Sequence, residues 1–535
     1  MKNRKILQNK FYLYLTEFFS GVSVMAVELG ASRLLAPYFS SSQIVWTIII
    51  GTIMIAMALG NLWGGRSADK NPDPDRLYRR ILLAAVWIAA IPLVGKYVIL
   101  GISGLLVVTV STNLLIYAAF LSCMAIFVFP LFLLGTVTPS LAKYTVESLD
   151  DNGKTVGALG AANTIGSILG TFVPTFVTIP AVGTSITFLI FSGILLLIGL
   201  LYFISGRRGG KACIVSLVLF MLCSIFGHTT SFAFWEKDLS YEGESVYNYL
   251  QVKKWDDRTV LSTNVLFGVQ SVKMNRDGLT GMYYDYALAA PVMAGLAERK
   301  DARVLILGNG TGTYATQCKT YFPNATVEGV EIDEQITHLA SKYFDLPEQV
   351  SVTTYDGRAF LQAVDTQYDV ILVDAYQDIT IPFQMSSVEF FSLVRDHLKP
   401  DGVMVVNMNL HADGKGSINQ ALTDTVSQVF DTVYAADVPN TTNRELFAAN
   451  GVDLRAALET NLALQTDHDL QTMMRAVSQG LMRPAAGKQV LTDDRAPVEM
   501  LGMRTLDTYI GTELARYQQL FREEGLAGML RAMNA

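Results

Sequence analysis

Cysteine is scarce in this chain, four in 535 residues, and Cys123, Cys213 and Cys223 lie inside long apolar runs. Only Cys318 lies elsewhere, so a disulfide framework and a metal-spaced Cys/His cluster are both excluded. Charge is thin as well: 17% of residues are charged and 51% hydrophobic, proportions well outside those of soluble proteins. The first apolar run has no small-residue cleavage site and carries Glu17 and Glu28, so it is expected to stay as a helix and not to be removed as a signal peptide.

What is abundant is apolar length. Runs near 13–36, 44–63, 80–102, 113–136, 156–180, 184–204 and 212–234 are each long enough to cross about 30 Å of hydrocarbon as a helix, giving seven expected spans. Residues 1–235 hold 16 Lys and Arg against 8 Asp and Glu, leaving 25 against 40 for residues 236–535. The acidic second half disfavours nucleic acid and suits a small cationic partner such as a polyamine. Glu17 and Glu28 share one face of the first helix. They face either a cation in a cavity or partners such as Arg33, Asn61, Asn113 or Asn163 on neighbouring helices. Gly166-x-x-x-Gly170 is a helix-packing motif.

After Trp235 the texture turns polar. Strand-like runs at Ser245–Val252, Thr259–Leu261 and Val269–Met274 form a small β module. From about Tyr286, aliphatic strands at 303–307, 326–330, 350–354, 369–374 and 402–408 alternate with helices, the pattern of a doubly wound parallel sheet. Ligands in such sheets sit beyond the carboxyl ends of the strands, where Gly308, Glu331, Asp356 and Asp374 fall. Val304–Gly308 breaks into Gly308, Gly310 and Gly312, and Glu331 follows at ribose-accepting distance. Position 313 is Thr, so the dinucleotide fingerprint is not met, and a class I methyltransferase-like, Rossmann-type nucleoside pocket is expected.

Over residues 241–410 these motifs resemble the spermidine synthase (aminopropyltransferase) family in its membrane-fused branch. Leu307–Thr313 stands where the family has G-G-G-D-G-G, Val330–Asp333 matches V-E-I-D, and Asp356–Gly357 matches D-G. Tyr368–Asp378 resembles the D-x-x-D strand end, Ser245–Asn248 resembles S-x-Y-Q, Val269–Gln270 resembles I-Q, and Met282–Asp285 resembles S-Y-x-E. The resemblance implies Asp374 as the base, with Tyr283 sharing the amine's hydrogen bonds. It implies a donor site of Gly308, Gly310, Thr311, Gly312, Glu331, Ile332, Asp356, Gly357 and Gln270. Asn248, Tyr284, Asp285, Tyr376, Gln377 and Asp378 would line the amine side. Gly60–Asp69 is similar to a cytoplasmic loop of major-facilitator-like bundles.

The implied reaction is transfer of an aminopropyl-type group from decarboxylated S-adenosylmethionine, or the intact molecule, to an amine, releasing methylthioadenosine with no metal or redox cofactor. The chain departs from the family where Thr311 replaces the loop aspartate that recognises the donor's amino group, where Gln377 replaces the second acid of D-x-x-D, and where Asn248 replaces a glutamine. The alternatives are acceptor-independent cleavage or cyclisation of the donor, methyl transfer, and a polyamine transporter or sensor with a ligand-binding soluble domain. The domains are expected at 11–235 (membrane), 241–282 (β module), 283–445 (catalytic) and 446–535 (helical extension), with a homo-oligomer compatible with all of them. Basic residues before the first span, at 66–80 and at 207–211, put the N-terminus in the cytoplasm. An odd span count would then export the soluble domain from a cell inner membrane. The cytoplasmic origin of the donor argues the opposite, and the cytoplasmic side is expected.

Overall fold

The computed structural model describes residues 9–145, 152–229, 231–236, 238–265, 269–375, 381–409, 416–485 and 487–533. They fall into two compact units. The N-terminal helices with Glu242–Tyr249 and the chain from Glu513 onward make one, and Leu250–Thr512 makes most of the other.

Among the described residues, six helices are long and apolar enough to cross a membrane. They are Lys10–Phe39 (α1), Gln43–Lys70 (α2), Pro74–Thr109 (α3), Leu114–Thr145, Gly153–Ser205 and Gly210–Gly227. The fourth comprises Leu114–Gly135 (α4) and Val137–Thr145 (α5); the fifth comprises Asn152–Val173 (α6), a π-helical turn and Ile179–Ser205 (α7); the sixth is α8. Two of the seven expected runs are thus joined in one helical stretch, but it is not straight. Gly183 has φ 80° and ψ 170°, a conformation open to glycine and closed to a helix. Before it, α6 runs with α1, placing Gly166 at Phe18 and Gly170 at Val22. After it, α7 runs against α1, with Phe188 at Gly30 and the Tyr12 hydroxyl donating to the Ile198 carbonyl. The chain doubles back at Gly183. Helix α8 in turn runs with α3, since Gly227 packs on Leu93 and Lys96 donates to the Ser231 carbonyl.

The expected packing motif is real. A Cβ on Gly166 would lie 2.0 Å from the Phe18 carbonyl oxygen and one on Gly170 2.2 Å from that of Val22, so only glycine admits α1 this closely. Glu17 is buried and accepts from Thr138 Oγ1 at 2.6 Å and Asn163 Nδ2 at 2.9 Å, the neighbouring-helix arrangement anticipated for it.

Beyond the apolar helices the chain forms two sheets. The small one orders Leu239–Glu244 (β1), Tyr249–Lys254 (β2), Arg258–Ser262 (β3) and Ser271–Met274 (β4) as β1-β2-β3-β4. Ser245–Val252, expected as one strand, is a turn followed by β2. The Ser245 N–H donates to the Asn248 carbonyl while Ser245 Oγ accepts from the Asn248 N–H, and this local hydroxyl turn ends β1.

Helices Tyr283–Ala287 (α9) and Ala289–Met293 (α10) lead into Arg303–Leu307 (β5), Thr313–Tyr321 (α11), Thr326–Glu331 (β6) and Glu334–Tyr343 (α12). Ser351–Thr354 (β7), Gly357–Ala363 (α13), Tyr368–Val373 (β8), Val388–Asp396 (α14), Leu398–Met408 (β9) and Ile418–Val426 (α15) follow. Thr432–Asp437 (β10) and Arg444–Ala449 (β11) complete a sheet of order β10-β11-β9-β8-β5-β6-β7. The sheet is mixed, which corrects the expected parallel one. β7, β6, β5, β8 and β9 are parallel, but β11 pairs antiparallel with both β9 and β10. The turn between β10 and β11 is too short for a parallel crossover.

One face of the sheet packs Val304, Ile306, Val370, Leu372 and Phe447 under α9 and α10, and the other packs Leu307, Val373, Val406 and Leu446 under α14 and α15. Leu454–Leu462 (α16), His468–Gly480 (α17) and Val498–Met533 (α18) follow. The segment before α18 returns to the helices α15 and α13 that flank the sheet. Leu491 N–H donates to Thr425 Oγ1, and Asp493 accepts from Arg358 Nη1 and Nη2 at 2.7 and 2.6 Å.

Candidate active site

Strand register builds the site. Leu307 lies beside Val330 on one side and Val373 on the other, Val373 beside Val406, and Asn407 beside Glu445. One step further along, Glu331, Gly308, Asp374, Asn407 and Glu445 form a single transverse row at the carboxyl ends of β6, β5, β8 and β9 and on β11. Alternation puts this row on the face covered by α9.

The glycine loop closes tightly over one end of the row. A Cβ on Gly308, at φ 88°, would lie 2.4 Å from the Asp374 carbonyl oxygen. Glu331 is buried and takes two backbone donors, Gly310 N–H at 2.8 Å and Asp333 N–H at 3.0 Å. Each carboxylate oxygen keeps a second lone pair for a ribose hydroxyl. Burial pushes its carboxyl up to about 7 against those two bonds, which pull it down. Thr311 N–H donates to Ser271 Oγ, and Thr313 Oγ1 donates to the Val272 carbonyl, so β4 braces the loop.

Asp374 is the centre of the row. Tyr283 Oη donates to its Oδ2 at 2.7 Å and Asn407 Nδ2 to its Oδ1 at 2.8 Å, while Asn443 Nδ2 donates to Asn407 Oδ1 at 2.9 Å. Burial raises the Asp374 carboxyl to about 7, opposed by the Asn407 and Tyr283 bonds. A carboxylate poised there can accept a proton near neutrality. Tyr283, dehydrated and beside Asp374, is held well above its usual range and stays a neutral donor.

The other expected residues are placed as follows. Tyr284 Oη donates to the Gln270 carbonyl, tying α9 to the start of β4. Asp285 is buried and accepts from Thr280 N–H, Thr280 Oγ1, Gly281 N–H and Gln317 Nε2, so its carboxylate holds its own turn. Asp356 caps α13 through Ala359 N–H at 2.8 Å, with Gly357 beside it. Ile332 leaves an apolar side chain 40% exposed next to Glu331, a surface suited to a base. Asn248 belongs to the β1–β2 turn. Tyr376, Gln377 and Asp378 lie outside the described residues.

Sequence reasoning missed Asn407, Asn443 and Glu445. The signal for Asn407 was a polar residue ending the apolar run Val403–Met–Val–Val, at a carboxyl strand end where ligands gather. Among the described residues no cluster of His, Cys, Asp or Glu could hold a metal.

Residues 287–448 match the Spermine/spermidine synthase domain family. A probable polyamine aminopropyl transferase of Bifidobacterium longum is 54% identical over 351 residues, covering 62% of this chain and 78% of that protein. A polyamine aminopropyltransferase of Vibrio vulnificus is 26% identical over 201 residues, 36% of this chain and 66% of that one. A spermidine synthase structure from Thermotoga maritima is 19% identical at a TM-score of 0.38, covering 46% of this chain and 85% of that one. With so large a share of the Bifidobacterium protein matched at that identity, this chain belongs to the spermidine synthase-like aminopropyltransferase family, fused to a membrane region.

Proposed function

We propose that the soluble domain binds an adenosylsulfonium donor, decarboxylated S-adenosylmethionine or the intact molecule, along the Glu331–Gly308 side of the row and transfers its aminopropyl-type group to an amine. The observation that carries this reading is Asp374, held by Tyr283 and Asn407 at the strand end with its carboxyl raised to about 7. The amine nitrogen's lone pair forms a bond to the carbon beside the sulfonium. The carbon–sulfur bond breaks with its electrons going to sulfur, and methylthioadenosine leaves as a neutral thioether. The displaced proton passes to Asp374. The leaving group needs little help, so the protein supplies alignment and a base.

Separation of binding from chemistry tests this assignment. Glu331→Ala should abolish methylthioadenosine binding in calorimetry. Asp374→Asn should keep that binding and cut methylthioadenosine release by roughly 10²–10⁴-fold, the usual contribution of a positioned base. Full turnover in Asp374→Asn would remove the role.

The pH dependence has a definite sign. Asp374 must be ionised to act, so kcat/KM should climb as pH rises through about 7 and level off above it, and Asp374→Asn should lack that limb. Glu331 is raised to about 7 as well, so methylthioadenosine affinity measured over the same range separates the two groups.

Donor choice rests on Thr311, whose buried hydroxyl has no hydrogen-bond partner. An aspartate there would repel a donor carboxylate. Thr311→Asp should shift the ratio of turnover towards the decarboxylated donor, and an unchanged ratio would refute the role.

Reading the reversal at Gly183 as dividing the fifth of the six candidate spans into two crossings gives seven, which from a cytoplasmic N-terminus would deliver the chain to the opposite face of the membrane. Reporter fusions after residue 236 should therefore report the non-cytoplasmic side. A cytoplasmic signal there would restore the placement expected from donor synthesis.

A further inference from the structure

Two acids in α1 lack a counter-charge. Glu17 is 0% exposed; its Oε1 accepts from both Thr138 Oγ1 and Asn163 Nδ2, and its Oε2 has no hydrogen-bond partner. Glu28, eleven residues further on, is half-buried, and its carboxylate has no partner among the described residues. Basic side chains of the same helices end elsewhere: Arg33 donates to the Ser245 and Val246 carbonyls and Lys96 to that of Ser231. Either protonation state of Glu17 leaves Oε2 unanswered, as a bare oxygen without a donor or as a hydroxyl without an acceptor. An acid kept in that condition inside a membrane bundle is unfavourable, and such residues mark the paths of ions and substrates.

The two acids share a face, and α6 lies along it. At 3.6 residues per turn Glu17, Gly21 and Glu28 fall within about 40° of one another on α1. A Cβ on Gly21 would lie 2.4 Å from the Asn163 carbonyl oxygen and 3.1 Å from Ser167 Oγ. From there α6 carries Asn163, Ser167, Thr171 and Thr175, one residue every four and all half-buried. The offset that sets Gly166 at Phe18 and Gly170 at Val22 brings Thr175 level with Glu28. Thr171 Oγ1 and Thr175 Oγ1 donate to the carbonyls of Ser167 and Thr171, each at 2.9 Å. Those hydroxyl hydrogens are used inside the helix, so the threonines offer oxygen lone pairs. The result is a seam of acceptors with a carboxylate towards each end, which suits a cation rich in N–H donors and repels anions.

We propose that the α1–α6 seam of the membrane unit is a translocation path for a linear alkylpolyamine, with Glu17 and Glu28 as its two counter-charges. The geometry selects this class of cation. A bare metal ion is held by a ring of oxygens at one level, whereas the α6 stripe spaces its polar groups by about 6 Å along the axis. The two carboxylates are separated by a rise of about 16 Å, so a single point charge cannot engage both. Ammonium groups separated by methylenes can engage each in turn, every ammonium bringing three N–H donors to a wall of acceptors. This activity is separate from the chemistry proposed for the soluble domain, and it stands whether or not that domain transfers an aminopropyl-type group.

The test reconstitutes the full-length protein into proteoliposomes and follows entry of radiolabelled spermidine under an inside-negative membrane potential. Uptake should be saturable and exceed that of protein-free vesicles, and unlabelled 1,4-diaminobutane should compete where n-butylamine and sodium do not. Glu17→Gln and Glu28→Gln should each slow uptake by about 10- to 100-fold, the range for losing a hydrogen bond to a charged group, and Glu17→Asp should retain more than Glu17→Gln. Glu28 has no partner to lose, so Glu28→Gln with an unchanged thermal midpoint separates a transport defect from misfolding. Uptake no faster than in protein-free vesicles, or unchanged in both glutamine variants, would overturn the proposal. Entry of radioactive sodium in place of spermidine would overturn the ligand class. Spermidine that binds the detergent-solubilised protein in equilibrium dialysis but never enters the vesicles would overturn the path.

Discussion

The parallel pairing of β5 with β8 sets Leu307 beside Val373, and the next residue on each strand, Gly308 and Asp374, then meet with no space for a side chain between them. Most of what the site contains follows from that contact. It brings the loop N–H groups and Glu331 to one side of Asp374, and it leaves the other side to whatever β9 and β11 present at the same level. Any side chain at 308 would push the two strand ends apart. Asp374 and the glycine loop would separate together, because they share one register.

Around this contact the domain deals with carboxylates in two ways. At the amino end of β8, Asp369 is neutralised by Arg299 and Lys399 and serves the fold. At the carboxyl end, Asp374 and Glu331 receive only neutral donors, so their charge is stabilised less than burial penalises it and both carboxyls rise towards neutrality. The same residue type is thus ion-paired at one edge of the sheet and left with a raised carboxyl at the other, according to whether a cation or an amide stands beside it.

The residues legible in the sequence were those whose signal is local. Gly308, Glu331 and Asp374 sit where an apolar run ends, and a strand end is visible in one dimension. Five of the sheet's seven strands could be read from their aliphatic runs, and Gly166 and Gly170 from their spacing. Asn407 and Glu445 were not legible because their meaning depends on which strand lies beside which, and the antiparallel insertion of β11 between β9 and β10 has no local marker. Arg444 and Glu445 make β11 look like an exposed edge, though all six of its residues are buried. The Ser245–Asn248 turn was missed because its strand-like residues are overruled by one serine hydroxyl accepting from the backbone. In the membrane helices, Glu17 could be flagged from composition but not assigned, since Thr138 and Asn163 come from distant parts of the chain.

The clasp between Arg358 and Asp493 has a bearing on how the molecule is made. Arg358 follows directly after Asp356 and Gly357, yet its partner leaves the ribosome 135 residues later, a delay of roughly seven to twenty-seven seconds at ordinary rates of synthesis. β11 is also late, although it lies inside the sheet and not at its edge. By then the apolar helices have long been available for insertion. The nascent chain is anchored while its sheet still has an open flank along β9, and that exposed strand edge is the stage at which neighbouring chains on one membrane could pair wrongly. Early anchoring in a bilayer spaces such chains out laterally, so the membrane helices would serve the soluble domain before it has any activity to serve.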